Sequence, residues 1–342
     1  MTGPELVAYV AATFDQTSTS GSVTPVCLAN GREESPIAVG GQPFWITISP
    51  DGRTALVANS GWGGPVVQST VSDIDLATGR VVRTIPAGVG PMGIAITPDG
   101  TTAYVADMGV NLRTDVGEMT AARTVTPIDL LTGRPMSPIR VDPGPGAIAI
   151  TPDGKTALVA VDGTPQHPLG EVEPIDLATR TVGRPIHTGI APMAMAITPN
   201  GSEALVTDTG WGGDELGETV TPIDLTTGTA GPAIPVGSGP LDIVMTPDGR
   251  RAYVASATSE PWIVNPIDVV TGKALPPIAV PGSPQYVAMS PDGTTVYVTT
   301  SDEDHNALVA IDTATDKVTD VLPLSFRGGA VVVVPAPAGR CT

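Results

Sequence analysis

The chain has 342 residues, 41% of them hydrophobic, with 40 Gly, 36 Pro and a formal net charge of −18. That length supports a large packed core, and the Gly and Pro content stays below the level that marks disorder. The charge removes the basic face a nucleic-acid binder needs and disfavours anionic membranes, and no apolar run approaches the roughly 18 residues of a transmembrane helix.

In chain order, Glu5 to Val10 reads as a strand and not as a leader. The chain is therefore expected either to stay in the cytoplasm or to be a mature form whose leader was removed. Thr24-Pro25-Val26-Cys27-Leu28-Ala29-Asn30-Gly31 and Pro36-Ile37-Ala38-Val39-Gly40 follow as two further strand ends. From Phe44 the chain enters a repeat of short apolar runs broken by Gly, Pro, Asp and Thr, with no helical periodicity.

Two turn signals mark that repeat. Pro-Asp-Gly follows a short strand at Asp51, Asp99, Asp153, Asp248 and Asp292, with Asn200 as a variant. Its Pro sets φ, its Asp bonds the local backbone and its Gly accepts positive φ. Ile-Asp-Leu-x-Thr-Gly recurs at Asp75, Asp129, Asp176, Asp224, Asp268 and Asp312, and Cys27 stands at the equivalent place in the first copy. From each second signal to the next first signal the interval is always 24 residues, whereas the reverse interval runs from 20 to 30. One part of each repeat is rigid and the other tolerates insertion.

Four strands per repeat fit this pattern. Strand A is of the Gly93-Ile94-Ala95-Ile96 type, B of the Ala103-Tyr104-Val105-Ala106 type, C carries the second signal, and D is of the Pro-Ile-x-Val-Gly type. Repeats of this length and make-up are propeller blades. Residues 329–335 supply a strand A with no B, C or D, and residues 5–40 supply B, C and D with no A. The expectation is an all-β, seven-bladed β-propeller with four-stranded antiparallel blades. It forms one domain over residues 1–342, closed by a blade built from 1–40 plus 324–342.

Tyr104-Val105-Ala106-Asp107, Leu56-Val57-Ala58-Asn59 and Tyr297-Val298-Thr299-Thr300, each after a Pro-Asp-Gly turn, resemble the strand B of the YVTN-repeat, lactonase-like seven-bladed propellers. The resemblance covers essentially the whole chain and implies the fold. For activity it implies a range: binding proteins, phosphogluconolactonase-type hydrolases, a lyase that opens a cyclic antibiotic lactone, and cofactor-bearing electron-transfer propellers. Fold analogy does not choose among these. Haem-bearing relatives need Cys-x-x-Cys-His or spaced axial histidines. This chain has 2 Cys, far apart, and 3 His, so no cofactor is expected.

In an up-and-down blade the B–C loops and D–A connections share one face, the A–B and C–D turns the other. Eleven of the 35 acidic residues belong to the two turn signals and read as architectural, and fifteen more fall in or beside B–C loops. Most of the basic residues, Arg53 and Lys155 among them, sit beside turns of the opposite face. The loop face is expected to be negative and to attract cationic ligands. Of 12 aromatics, Tyr9, Tyr104, Tyr253 and Tyr297 lie in strand B, and the register places the other eight at the loop face: Phe14, Phe44, Trp45, Trp62, Trp211, Trp262, Tyr286 and Phe326. Those residues serve either to bind a ligand with an apolar or cationic part or to cap the blade ends against water.

Strand A starts make a second constellation. Trp45, Asp242 and Tyr286 stand among small residues, preceded by Phe44, Met92, Met193 and Gln285, and the strand B ends add Asn59, Asp107 and Asp208. Asp242, Asp107, Asp208 and His305 are the acid–base candidates, with Arg327 as a partner for Asp242 or for an anion. Gly61-Trp62-Gly63-Gly64 and Gly210-Trp211-Gly212-Gly213 each project a Trp, or simply record blade duplication. Asp302-x-Asp304-His305 matches no specific metal motif, so no metal is expected. Cys27 and Cys341 flank the chain break of the closing blade at one face. A disulfide there would staple the closure and imply an oxidising compartment, hence an exported mature form.

The leading expectation is a ligand-binding propeller that takes a small molecule, cationic or partly apolar, on its acidic, aromatic loop face. The second is an enzyme on that face, a lactone hydrolase, lyase or cyclase. The third is a protein–protein scaffold. Neither nucleic acid nor membrane insertion is expected.

Overall fold

A computed structural model describes residues 5–12, 20–61, 69–110, 120–162, 169–210, 216–257, 261–302 and 305–341. Among the described residues the regular elements are strands, and no helix is long and apolar enough to cross a membrane. The strands form seven antiparallel sheets, and the fold class is the seven-bladed β-propeller. Blades are numbered 1 to 7 here, blade 1 being the one that joins both ends of the chain.

The turn signals explain why the strands stop where they do. Asp51 accepts hydrogen bonds from Ser49 Oγ at 2.6 Å and from the Arg53 amide at 3.1 Å, while Gly52 takes φ 69°. Asp75 accepts from the amide and hydroxyl of Thr78 at 2.7 and 2.8 Å, and Gly79 takes φ 65°. All eleven signal aspartates are held below the ordinary carboxylate range by such local hydrogen bonds. Each is a turn device, as the spacing implies.

The chain divides into two compact units. One comprises residues 13–22 and 37–187 and holds blades 2, 3 and 4. Blade 2 orders Pro43–Ile48, Thr54–Asn59, Thr70–Asp75 and Arg80–Pro86 from inner to outer strand. Blade 3 uses Pro91–Ile96, Thr102–Val110 and Thr120–Asp129, and blade 4 uses Pro145–Ile150, Thr156–Val161 and Glu171–Asp176. In blades 3 and 4 strand D is split into two short pieces, such as Arg134–Pro135 and Ile139–Arg140, both paired with strand C. Pro135 and Pro138 lie in or beside those pieces. Proline cannot donate to a ladder, so it suits an outer strand and blunts its free edge. Neighbouring blades share cores: Leu56, Val71 and Ile85 of blade 2 pack with Ile94, Val105 and Ile128 of blade 3.

The other unit comprises residues 1–12, 23–36 and 188–342. Its inner strands are Pro192–Ile197 in blade 5, Pro240–Met245 in blade 6, Ser283–Met289 in blade 7 and Gly328–Pro335 in blade 1. The last of these pairs with Leu6–Ala12 from Leu6↔Pro335 to Ala12↔Gly328, as the orphan strand ends imply. Ser20–Cys27 and Arg32–Glu33 complete that sheet's order.

One feature of the inner strands has no counterpart in the sequence reading. In all seven blades the A–B register slips just after the inner strand's first residues, as between Pro43 and Trp45, Pro240 and Asp242, Pro284 and Tyr286, or Gly328 and Val331. A bulge adds one unpaired residue and re-aims the side chains beside it. Phe44, the extra residue of the blade 2 bulge, and Tyr286, the residue just after the blade 7 bulge, are both buried.

Candidate functional site

The strand B ends are occupied by the fold itself. Asp208 is 1% exposed. Its Oδ1 accepts the Gly189 amide at 2.9 Å, and its Oδ2 accepts the hydroxyls of Thr219 and Thr221 at 2.9 and 2.7 Å. Asp107 repeats the hydroxyl half of the device: its Oδ2 accepts Thr124 and Thr126 at 3.0 and 2.6 Å, while its buried Oδ1 has no hydrogen-bond partner among the described residues. Asn59 donates to Thr70 and Ser72 at 3.1 and 3.0 Å. In each blade the partners are alternate residues of strand C, which share one face of the sheet.

Blades 4 and 6 move the acceptor to strand C. Glu173 Oε2 takes the Asp142 amide at 3.1 Å, and Asn265 Oδ1 takes the Gly237 amide at 2.9 Å and the Ser256 hydroxyl at 3.2 Å. A buried acceptor thus holds a D–A connection amide in blades 4, 5 and 6, and in blade 3 the Gly88 amide lies beside Asp107. The sequence carries a signal for this that was missed. Three residues before the second turn signal stand Thr24, Ser72, Thr126, Glu173, Thr221 and Asn265, polar and buried in every blade but the seventh.

Where the buried acceptor of this latch stands at the end of strand B, the residue opposite it must be glycine. A Cβ on Gly40 would meet Asn59 at 2.6 Å, one on Gly189 would meet Asp208 at 2.5 Å, and one on Gly88 would fall on the Asp107 carboxylate. Gly88→Ala is expected to cost about 3 kcal/mol, because a buried carboxylate has nowhere to retreat. Gly52→Ala, with open space around it but φ 69°, should cost only about 1 kcal/mol. Urea titration of the two variants checks the contrast, and equal losses would refute the latch.

Asp242 sits differently. It is 6% exposed, beside the bulge at the start of the blade 6 inner strand. Its two oxygens accept the amides of Ile243 and, in the inner strand of blade 7, Val287, both at 2.9 Å. Burial pushes its pKa up to about 7 against the pull of those amides. Tyr286 lies next to Val287, buried, and its phenol is raised by burial and by the Asp242 charge. The Tyr286 amide donates to Thr299 Oγ1 at 3.2 Å, which itself donates to the Gly329 carbonyl at 3.0 Å. Gln285 donates to Ser283 Oγ at 3.0 Å. Asp242, Gln285 and Tyr286 are thus brought together at adjoining inner-strand starts.

The other candidates are dispersed. Arg327 is exposed, and two amides, not an arginine, hold the Asp242 carboxylate. His305 is exposed and engages Asp302 through its amide at 2.7 Å and its ring at 3.4 Å. Trp262 and Trp45 are half-buried and pack on blade cores, which matches the capping alternative for aromatics. Phe44 and Met92 are buried, and Met193 is half-buried. Trp62 and Trp211 lie outside the described residues, as do Phe14 and many of the loop acids. Burial also raises two acids in or beside B–C loops: Asp162, pushed up to about 6, and Glu173, to about 7.

Cys27 and Cys341 are joined by a disulfide with a Cα–Cα distance of 5.4 Å. It ties the end of strand C in blade 1 to the tail beyond the last strand.

No protein-family model matches the chain, and no curated protein matches it. Solved structures do. A Kuenenia stuttgartiensis hydrazine synthase chain aligns with a TM-score of 0.70 at 23% identity, over 85% of this chain and 89% of the other. A functionally unknown protein from Desulfotomaculum acetoxidans DSM 771 aligns with a TM-score of 0.74 at 16% identity, over 97% and 99%. At these identities the likeness is one of fold, and the fold it establishes is the seven-bladed propeller.

Proposed function

We propose that the chain is a ligand-binding propeller of the YVTN-repeat type, with Asp242, Gln285 and Tyr286 as its recognition group. The ligand is a small molecule with a hydrogen-bond-donating or cationic head and an apolar body. The observation that carries the reading is Asp242: a buried carboxylate with no cationic partner among the described residues, set beside a buried tyrosine at a bulge. Bulges gather at sites where a strand must re-aim a side chain, and a carboxylate beside an aromatic suits a cationic head on an apolar frame. The net charge of −18 favours the same ligand sign. The Cys27–Cys341 bond supports an oxidising compartment.

A thermal-shift series with choline, benzylamine and spermidine, against benzoate, tests this. At least one amine should raise the melting temperature of the wild type, benzoate should not, and Asp242→Asn should lose the shift while keeping the wild-type far-UV spectrum. Binding unaffected by Asp242→Asn would remove Asp242 from the site.

A second reading is favoured by one observation: Asp242 is held near neutrality, where an acid–base group works best. On that reading the same site opens a lactone, and Asp242→Asn lowers turnover by about 100-fold or more. A pH-stat assay with simple γ-lactones distinguishes the two, since a pure binding protein shows no turnover to lose.

A further inference from the structure

The end of the chain carries a cluster that the ligand reading does not use. Cys27 and Cys341 are buried, at 0% and 7% exposure. Glu34 stands over the bond between them. Its Oε1 lies 3.9 Å from Cys27 Sγ and accepts the Cys341 amide at 3.2 Å. Its Oε2 accepts Arg340 Nη1 at 2.7 Å. The two sulfurs and a Glu34 oxygen all lie within 4.8 Å of one another. The Arg340 guanidinium, 5.9 Å from the centre of the Tyr9 ring, keeps a buried Nε without a hydrogen-bond partner.

We propose that in the reduced protein Cys27, Cys341 and Glu34 form a binding site for a thiophilic divalent cation of the zinc class, which replaces the disulfide as the staple of blade 1. Two thiolates and a carboxylate are suitable ligands for such an ion, at about 2.3 Å for sulfur and about 2.0–2.2 Å for oxygen, with water in the fourth position. Opening the bond lets the two sulfurs part, and the Glu34 oxygen already lies 3.9 Å from one of them. The charges also close. Two thiolates and one carboxylate carry three negative charges, which a divalent ion and Arg340 match, while the half-exposed Arg32, 3.8 Å from Glu34 Oε1, adds a solvent-screened fourth positive charge. Arg340 holds the distal carboxylate oxygen and so orients the proximal one toward the metal, the usual part of an outer-shell partner.

The exchange is balanced. A phosphine reductant and one water convert the disulfide to two thiols and the phosphine to its oxide. Metal binding then expels the two thiol protons. A peroxide reverses the change, taking two electrons from the thiolates, becoming water and releasing the ion. The site is thus full only when the disulfide is open.

Untagged protein is stripped with a chelator, divided into oxidised and phosphine-reduced samples, incubated anaerobically with zinc and gel-filtered. Metal analysis should find one zinc per reduced chain and none per oxidised chain. Cobalt(II) in place of zinc should give the near-ultraviolet thiolate-to-metal absorption in the reduced sample only. Cys27→Ser should abolish it, and Glu34→Gln should weaken zinc binding by about 10- to 100-fold while leaving the absorption. If the reduced chain loses its fold without metal, zinc should restore it. Equal zinc in both redox states, no zinc in a folded reduced chain, or failure of zinc to restore a lost fold would each overturn the proposal.

Discussion

A chain ending at Arg327 is expected not to fold as a monomer. Removing residues 328–342 takes away the inner strand of blade 1, whose Ala330, Val331, Val333 and Val334 are buried, and with it Cys341 and Arg340. The partner strand is left with Val7 to Ala11, each 0% exposed in the intact protein, facing solvent along an unpaired edge. At about 1.5–3 kcal/mol per buried valine, and about 2–4 kcal/mol for the disulfide, the loss approaches or exceeds the 5–15 kcal/mol that typically separates folded from unfolded protein. The exposed edge also invites pairing between chains. Gel filtration and urea titration of the truncated protein should show aggregates or a non-cooperative transition. Cys341→Ser alone should fold, with a melting temperature lower by roughly 5 °C. A monomeric truncated chain with a sharp transition would show that the end strand is dispensable.

The second large effect is on pH. Asp107 and Asp162 are pushed up to about 6, Glu173 and Asp242 to about 7, and Asp208 is raised, in every case chiefly by burial. A carboxyl whose folded pKa exceeds its unfolded value binds more protons in the folded state, so stability falls as pH rises through the interval between the two. That interval runs here from about 4 to about 7. The eleven signal aspartates act in the opposite sense, losing their contribution as pH falls below the ordinary carboxylate value. They lie at the surface, exposed or half-buried, and solvent screens them. Stability should therefore peak near pH 4–5 and drop by about 5 kcal/mol toward pH 8, helped by self-repulsion of a chain with net charge −18. Urea midpoints at pH 5, 6.5 and 8 read this directly, and Asp242→Asn combined with Glu173→Gln should flatten the slope. A midpoint that rises from pH 5 to 8 would contradict the burial of these acids.

Blade count, strand order and the joining of residues 6–12 with 328–335 were legible because the information is local and repeated. Turn chemistry at Asp51 and Asp75 recurs with a constant interval, and a strand left over at each end has one economical use. The candidate site was legible only in part. Asp242 stood out as a carboxylate where its equivalents are small or apolar, and its place beside Tyr286 follows from blade alignment. The latch role of Asp107 and Asp208 was not visible from their own positions. It depends on the space left by Gly88 and Gly189, 19 residues earlier in each case, on the Gly189 amide, and on hydroxyls in the next strand.

The sequence by itself determined what period-two patterning, turn residues and spacing can encode: an all-β fold, seven blades, and which strand ends share a blade. Only the tertiary structure decided what depends on register and depth. A one-residue bulge follows the first residues of all seven inner strands, Phe44 and Tyr286 are buried at it, and burial raises carboxylates that a count of charges treats as surface. It also brings Glu34 and Arg340 to the Cys27–Cys341 pair, because atoms from opposite ends of a chain become neighbours only when the strands between them have closed the sheet.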